Sequence, residues 1–86
     1  MELDALRREI DSVDAELIAL FTKRMDICAK IGDYKKENGL PVYDKARENE
    51  KLARAADASR DDVKPYTRIL FEKLFELSRD YQESRR

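Results

Sequence analysis

The sequence predicts an all-α fold of three helices, long, short and medium in chain order, that associates with a second copy of itself. Three observations predict it. Leu3, Leu6, Ile10, Val13, Leu17, Leu20, Arg24, Ile27, Ile31 and Tyr34 follow one another at alternating steps of three and four, with no proline between them. Two further segments, each opened by a helix-start signal, follow the break at Asn38-Gly39-Leu40-Pro41. Charged residues make up 43% of the 86 and apolar residues 42%, and the apolar ones are periodic, which suits helices with solvated outer faces rather than disorder.

The first helix is expected from Leu3 to about Lys36. At ~1.5 Å per residue, roughly 34 residues span about 50 Å. A globule of this length has a radius of gyration of only ~12 Å. The helix is too long for its own chain to cover, and a homodimer is the economical solution. Asp4, Glu9, Asp11 and Asp14 favour its positive end. Gly32 costs roughly 1 kcal/mol against alanine inside a helix and admits two readings, tight helix packing or close approach of a ligand. Gly39 suits a left-handed cap and Pro41 prevents continuation.

Asp44 is a good N-cap for a second helix, Lys45 to Asp57, whose inner side draws on Ala46, Leu52, Ala53, Ala55 and Ala56. Lys51 on this helix reads as a surface residue. Ala58-Ser59-Arg60-Asp61 is a polar connection. A third helix starts near Asp62, tolerates Pro65 in its first turn and runs to about Glu83. Tyr66, Leu70, Leu74, Leu77 and Tyr81 mark one edge of its apolar face. Phe71, Phe75, Ser78 and Gln82 mark the other, so an apolar stripe turns polar where a site is expected.

The composition excludes several function classes. Lys plus Arg, 18, nearly balances Asp plus Glu, 19; the net charge of −1 at pH 7 lacks the basic excess of nucleic-acid binders. One cysteine and no histidine leave no disulfide framework and argue against a zinc site, so no metal or cofactor is expected. No segment is apolar for long enough to span a bilayer or serve as a signal core, and the cytoplasm is the default location. Without histidine the usual acid–base role is empty. Cys28, with no imidazole to activate it, reads as ordinary packing.

What stands out is a set of cations on or beside the seam. Arg24 is the one seam position that is not apolar, and the neighbouring column at steps of seven reads Arg7, Asp14, Phe21, Cys28, Lys35. Cations on a buried face need partners. With Arg47, Glu48, Ser78 and Gln82 they form a set suited to a small, multiply anionic ligand held by charge-assisted hydrogen bonds. Such a set acts by electrostatic preorganisation. Arg24 and Lys35 share a face ~16 Å apart, whereas Arg7 lies about 25 Å from Arg24 along the same rod. An antiparallel partner's Arg7 could arrive there instead. Each residue also has a plainer reading: solvated cations, an Arg24–Asp pair between helices, or Ser78 and Gln82 bonding helix to helix.

The same residues resemble the all-α-helical class of chorismate mutase. The similarity runs through Leu6-Arg7-Arg8-Glu9-Ile10-Asp11 with Asp14, Arg24, Ile31-Gly32-Asp33-Tyr34-Lys35, Pro41-Val42-Tyr43-Asp44, Arg47-Glu48, Ser78 and Gln82. It covers nearly the whole chain and implies one mutase domain over residues 1–86, either free-standing or part of a longer protein. It also implies an intertwined homodimer that rearranges chorismate to prephenate; the charge balance and hydropathy already argue against a nucleic-acid or membrane partner. The resemblance assigns Arg24 and the partner's Arg7 to the substrate carboxylates, with Ser78 assisting. Lys35 and Gln82 would face the ether oxygen of the breaking bond, and Glu48 would accept from the ring hydroxyl. Arg47 and the backbone near Asp44 would complete the wall. An isochorismate pyruvate lyase, which shares the fold, and a non-catalytic helical dimerisation module are the alternatives; Glu48 favours the mutase.

Overall fold

The computed structural model describes residues 2–86, folded as three helices: α1, Glu2–Glu37; α2, Lys45–Asp57; and α3, Lys64–Ser84. There is no strand among the described residues. The 36 residues of α1 account for the 56 Å long dimension of the molecule. The radius of gyration, 16.0 Å, well exceeds the ~12 Å of a compact chain this long. α3 packs against both α1 and α2, while α1 and α2 have no direct helix-to-helix contact among the described residues.

Local chemistry sets the boundaries. At the end of α1 the Leu40 N–H donates to Lys35 O at 2.8 Å and the Gly39 N–H to Lys36 O at 3.3 Å. This is the paired Schellman closure, and it needs the left-handed φ of 64° that Gly39 adopts. Asp44 caps α2 by accepting the Arg47 N–H at 3.0 Å. α3 begins two residues later than the sequence predicts. The Asp62 carboxylate accepts from Arg60 Nε at 2.6 Å instead of capping, Asp61–Val63 form a turn, and Val63 precedes the helix with no side-chain cap. Ser59 Oγ, 2.8 Å from both Ala55 O and Thr67 Oγ1, ties the end of α2 to the start of α3.

The core is small and lies at one end. Cys28, Ala29, Val42, Ala56 and Phe75 are its buried apolar residues among those described. Every residue from Glu2 to Leu20 is exposed. The heptad seam is therefore not covered within one chain: Leu6, Ile10 and Leu17 are 52–55% exposed. α1 instead buries Cys28, Ala29 and Gly32, because α3 reaches only its second half. On α3 the Phe71-Phe75-Ser78-Gln82 stripe faces inward, with Phe75 and Gln82 buried, while Tyr66 and Leu70 at the start of the other edge stay exposed. On α2 only Ala56 is fully buried, Leu52 and Ala55 are half-buried, and Ala46 and Ala53 face outward.

Candidate active site

A cavity of about 320 Å³ opens where the last third of α1, the linker before α2, the first turns of α2 and the end of α3 meet. Its size is that of a metabolite site. Cys28, Ile31, Val42 and Phe75 supply apolar walls. Of the residues singled out in the sequence, Arg24, Lys35, Asp44, Arg47, Glu48, Ser78 and Gln82 all line it. Arg7 does not. It lies on the exposed first turns of α1, about 25 Å along the helix from Arg24.

Each side chain is set by its neighbours. The Arg24 guanidinium lies 5.9 Å from the Phe75 ring centroid, with Nη1 3.7 Å from Cys28 Sγ. Arg24 has no carboxylate partner among the described residues. Lys35 Nζ donates to Val42 O at 2.9 Å, which joins the last turn of α1 to the linker. One Gln82 N–H goes to Ser78 Oγ at 3.1 Å, while Gln82 Oε1 is buried with no partner. Because Ser78 accepts that bond, its own O–H is left to donate elsewhere. The Asp44 carboxylate is taken up by capping, so this residue contributes mainly the backbone it holds.

Glu48 is paired: its Oε1 accepts from Arg79 Nη1. This hydrogen bond, chiefly, raises the Arg79 pKa above its ordinary value, against a smaller lowering by burial. Arg79 also stacks 4.8 Å from the centroid of the Tyr43 ring.

Gly32 takes the tight-packing reading. A Cβ built there would stand 2.8 Å from Gln82 Cγ and 3.1 Å from Gln82 Cβ. The glycine is what lets α3 come close enough to bring Gln82 to the cavity. Cys28 is buried, as packing predicts.

Two cavity residues escaped the sequence reading, Lys51 and Arg79. Lys51 is not the remote surface residue expected; it stands four after Arg47 and three after Glu48, and so shares their face. Arg79 stands four after Phe75 and three before Gln82, and the same rule would have found it. Five cationic side chains thus face two carboxylates, both already engaged in the protein. The excess suits a small dianion. Among the described residues there is no cluster able to hold a metal and no helix long and apolar enough to cross a membrane.

The family model for chorismate mutase type II matches residues 6–83. The chain belongs to this family. A solved chorismate mutase (form II) from Thermus thermophilus superposes with a TM-score of 0.92 at 34% identity, covering 96% of each chain. A 3-dehydroquinate dehydratase from Pyrobaculum aerophilum is 40% identical over 75 residues, 87% of this chain but 21% of that protein. A 4-amino-4-deoxychorismate mutase from Streptomyces pristinaespiralis is 39% identical over 59 residues, 69% of this chain and 46% of that protein. The chain thus spans less than half the length of either of these two relatives. Within the chorismate mutase type II family, the cavity at the end of α1 is the natural candidate for the active site.

Proposed function

We propose that the chain catalyses the rearrangement of chorismate to prephenate, on the route to phenylalanine and tyrosine, as an intertwined homodimer with two shared sites. The observation that carries this reading is the convergence of Arg24, Lys35 and Arg47, none of them ion-paired among the described residues, on one metabolite-sized cavity beside Gln82 and Ser78. The reaction is unimolecular. It needs a compact substrate conformer and stabilisation of the charge that builds on the ether oxygen, not a base or a nucleophile. The cavity offers that and little else.

Arg24 takes one substrate carboxylate, with the free O–H of Ser78 as a second donor. Lys35, anchored by one N–H to Val42 O, turns its remaining donors to the ether oxygen. Gln82 supplies its second amide N–H to the same atom; its burial at 6% exposure makes that bond strong and its misplacement costly. Glu48 Oε2 accepts from the ring hydroxyl while Oε1 stays with Arg79. Arg47, at the first turn of α2, closes the wall.

The second copy enters through α1. Leu3, Leu6, Ile10, Val13, Leu17 and Leu20 are each half-exposed or more in one chain. Covering each of them in a dimer is worth roughly 1 kcal/mol. An antiparallel pairing of two such helices carries the partner's Arg7 toward Arg24, where it holds the other carboxylate. The test is direct: purified protein is mixed with chorismate, loss of absorbance is followed, and the product mass is measured. Prephenate is expected. Pyruvate release would support the lyase instead, and no turnover by a verified dimer would refute an enzymatic role.

A further inference from the structure

We propose that Arg79 determines specificity by positioning Glu48, setting the site for a ring hydroxyl and against a ring ammonium. The inference rests on the mutase reading and goes beyond it, because neither the sequence pattern nor the roles above gave Arg79 a task with respect to substrate. Its Nη1 holds Glu48 Oε1, its guanidinium lies 4.8 Å from the Tyr43 ring centroid, and its side chain lines the same cavity as Glu48. The two side chains are 32% and 21% exposed, so the pair is shielded enough for its charges to act on a bound ligand.

Two consequences follow from this geometry. With Oε1 held, Glu48 cannot swing freely and presents Oε2 as a fixed acceptor. A hydroxyl asks for no more than that. The pair is also neutral as a unit, so a dianionic substrate meets no uncompensated negative charge at Glu48. A ligand carrying an ammonium in place of the hydroxyl has the opposite needs. It gains most from an unpaired carboxylate and is repelled by a guanidinium one carboxylate away. The Streptomyces relative carries in its name a substrate with an amine in that place. The substituent next to Glu48 is therefore one that such a site must discriminate.

The experiment compares kcat/KM for chorismate and for 4-amino-4-deoxychorismate in wild type, Arg79→Met and Arg79→Lys, with circular dichroism and melting as folding controls. Wild type is expected to prefer chorismate. In Arg79→Met the preference should fall roughly tenfold or more, the size of one like charge ~6 Å away in a partly solvated site. Arg79→Lys, which keeps the charge, should retain most of the preference. A role in packing alone would lower both rates together and leave their ratio unchanged, and that result in Arg79→Met would overturn the proposal. If Arg79→Met fails to fold, Arg79→Gln carries the same test. Wild type that prefers the amine would overturn the proposal without any variant. Wild type that turns over neither compound would remove the mutase reading and this inference with it, an outcome distinct from an unchanged ratio in an active enzyme.

Discussion

Gly32→Ala tests the link between helix packing and the site. A methyl carbon at this position would lie 2.8 Å from Gln82 Cγ, 3.1 Å from its Cβ and 3.5 Å from its Cα, whereas comfortable carbon contacts begin near ~3.5 Å. A new Gln82 rotamer could relieve the first contact. It could not relieve the second, because Cβ is fixed by the backbone of α3. The two helices must therefore separate by a few tenths of an ångström, and the Gln82 amide must move further. Overpacking of this kind costs about 1–3 kcal/mol, and alanine returns ~1 kcal/mol of helix propensity. The net stability change is expected to be about 0–2 kcal/mol, a modest drop in Tm at fixed protein concentration. Activity should suffer far more, since misplacing a positioned group by ~1 Å costs on the order of 100-fold. The assay is chorismate turnover alongside thermal melting, repeated in a Gln82→Ala background. Removing the glutamine side chain takes away Cγ, so Gly32→Ala should cost less stability there, with a coupling of about 0.5–3 kcal/mol. Wild-type turnover in Gly32→Ala, or strict additivity of the two changes, would refute the reasoning.

Three further outcomes are expected. Arg24→Ala and Lys35→Ala each lose about 2–5 kcal/mol of interaction with a bound carboxylate or the reacting oxygen, ~30- to 4000-fold in kcat/KM, while Arg54→Ala, whose guanidinium pairs with Glu50 away from the cavity, stays near wild type. Mixing inactive Arg7→Ala chains with inactive Arg24→Ala chains restores activity after subunit exchange, because some heterodimers hold one site with both arginines; no recovery after verified exchange would defeat the shared site. Gln82→Glu is impaired at pH 8 and partly recovers on acidification, because a carboxyl donates only when protonated; its reference pKa of about 4.3 is lowered by Lys35 and raised by burial, and a pH–rate profile that matches wild type would remove Gln82 as a donor.

The parts of the fold that were legible in the sequence are those fixed by local chemistry. Asp44 specified the start of α2 because a cap depends on a carboxylate and the N–H groups of one turn. Gly39 specified the end of α1 because only a left-handed residue closes it there. The start of α3 lies later than the sequence suggests because the Asp62 carboxylate is held by Arg60 and does not cap the helix. Ala46 and Ala53 read as inner-side residues of α2 yet face outward, because alanine carries little information about its face. The seam of α1 is legible as apolar from its periodicity and as uncovered within one chain from its length, since a helix of about 50 Å outreaches so short a chain; periodicity alone says that a face wants cover and not what supplies it. At the site, residues that interrupt an apolar pattern were found, as with Arg24, Ser78 and Gln82. Lys51 and Arg79 were missed because they sit among other charged residues, where a functional cation leaves no break in the pattern.

That contrast bears on how this site would work. Among the described residues, the carboxylates lining the cavity are already committed, Asp44 to a helix cap and Glu48 to Arg79, and there is no histidine in the chain. What remains free is a set of fixed donors. Fixed donors lower a barrier only if they are held where charge appears, so their catalytic value lies in placement rather than in titration. Placement here depends on contacts that carry no charge at all: the bare Cα of Gly32 against Gln82, the Val42 carbonyl under Lys35, the Phe75 ring beside Arg24. Each of these contacts lies at the second half of α1, within one small core. The first half of α1 contributes nothing to that core in a single chain. As a regular apolar helix it would serve the other copy's site in the proposed dimer, delivering Arg7 from a rod rigid enough to place it. A flexible segment could carry the same arginine at a larger entropic cost on binding. In the proposed dimer, the length of α1 serves to position Arg7 as well as to carry the apolar seam.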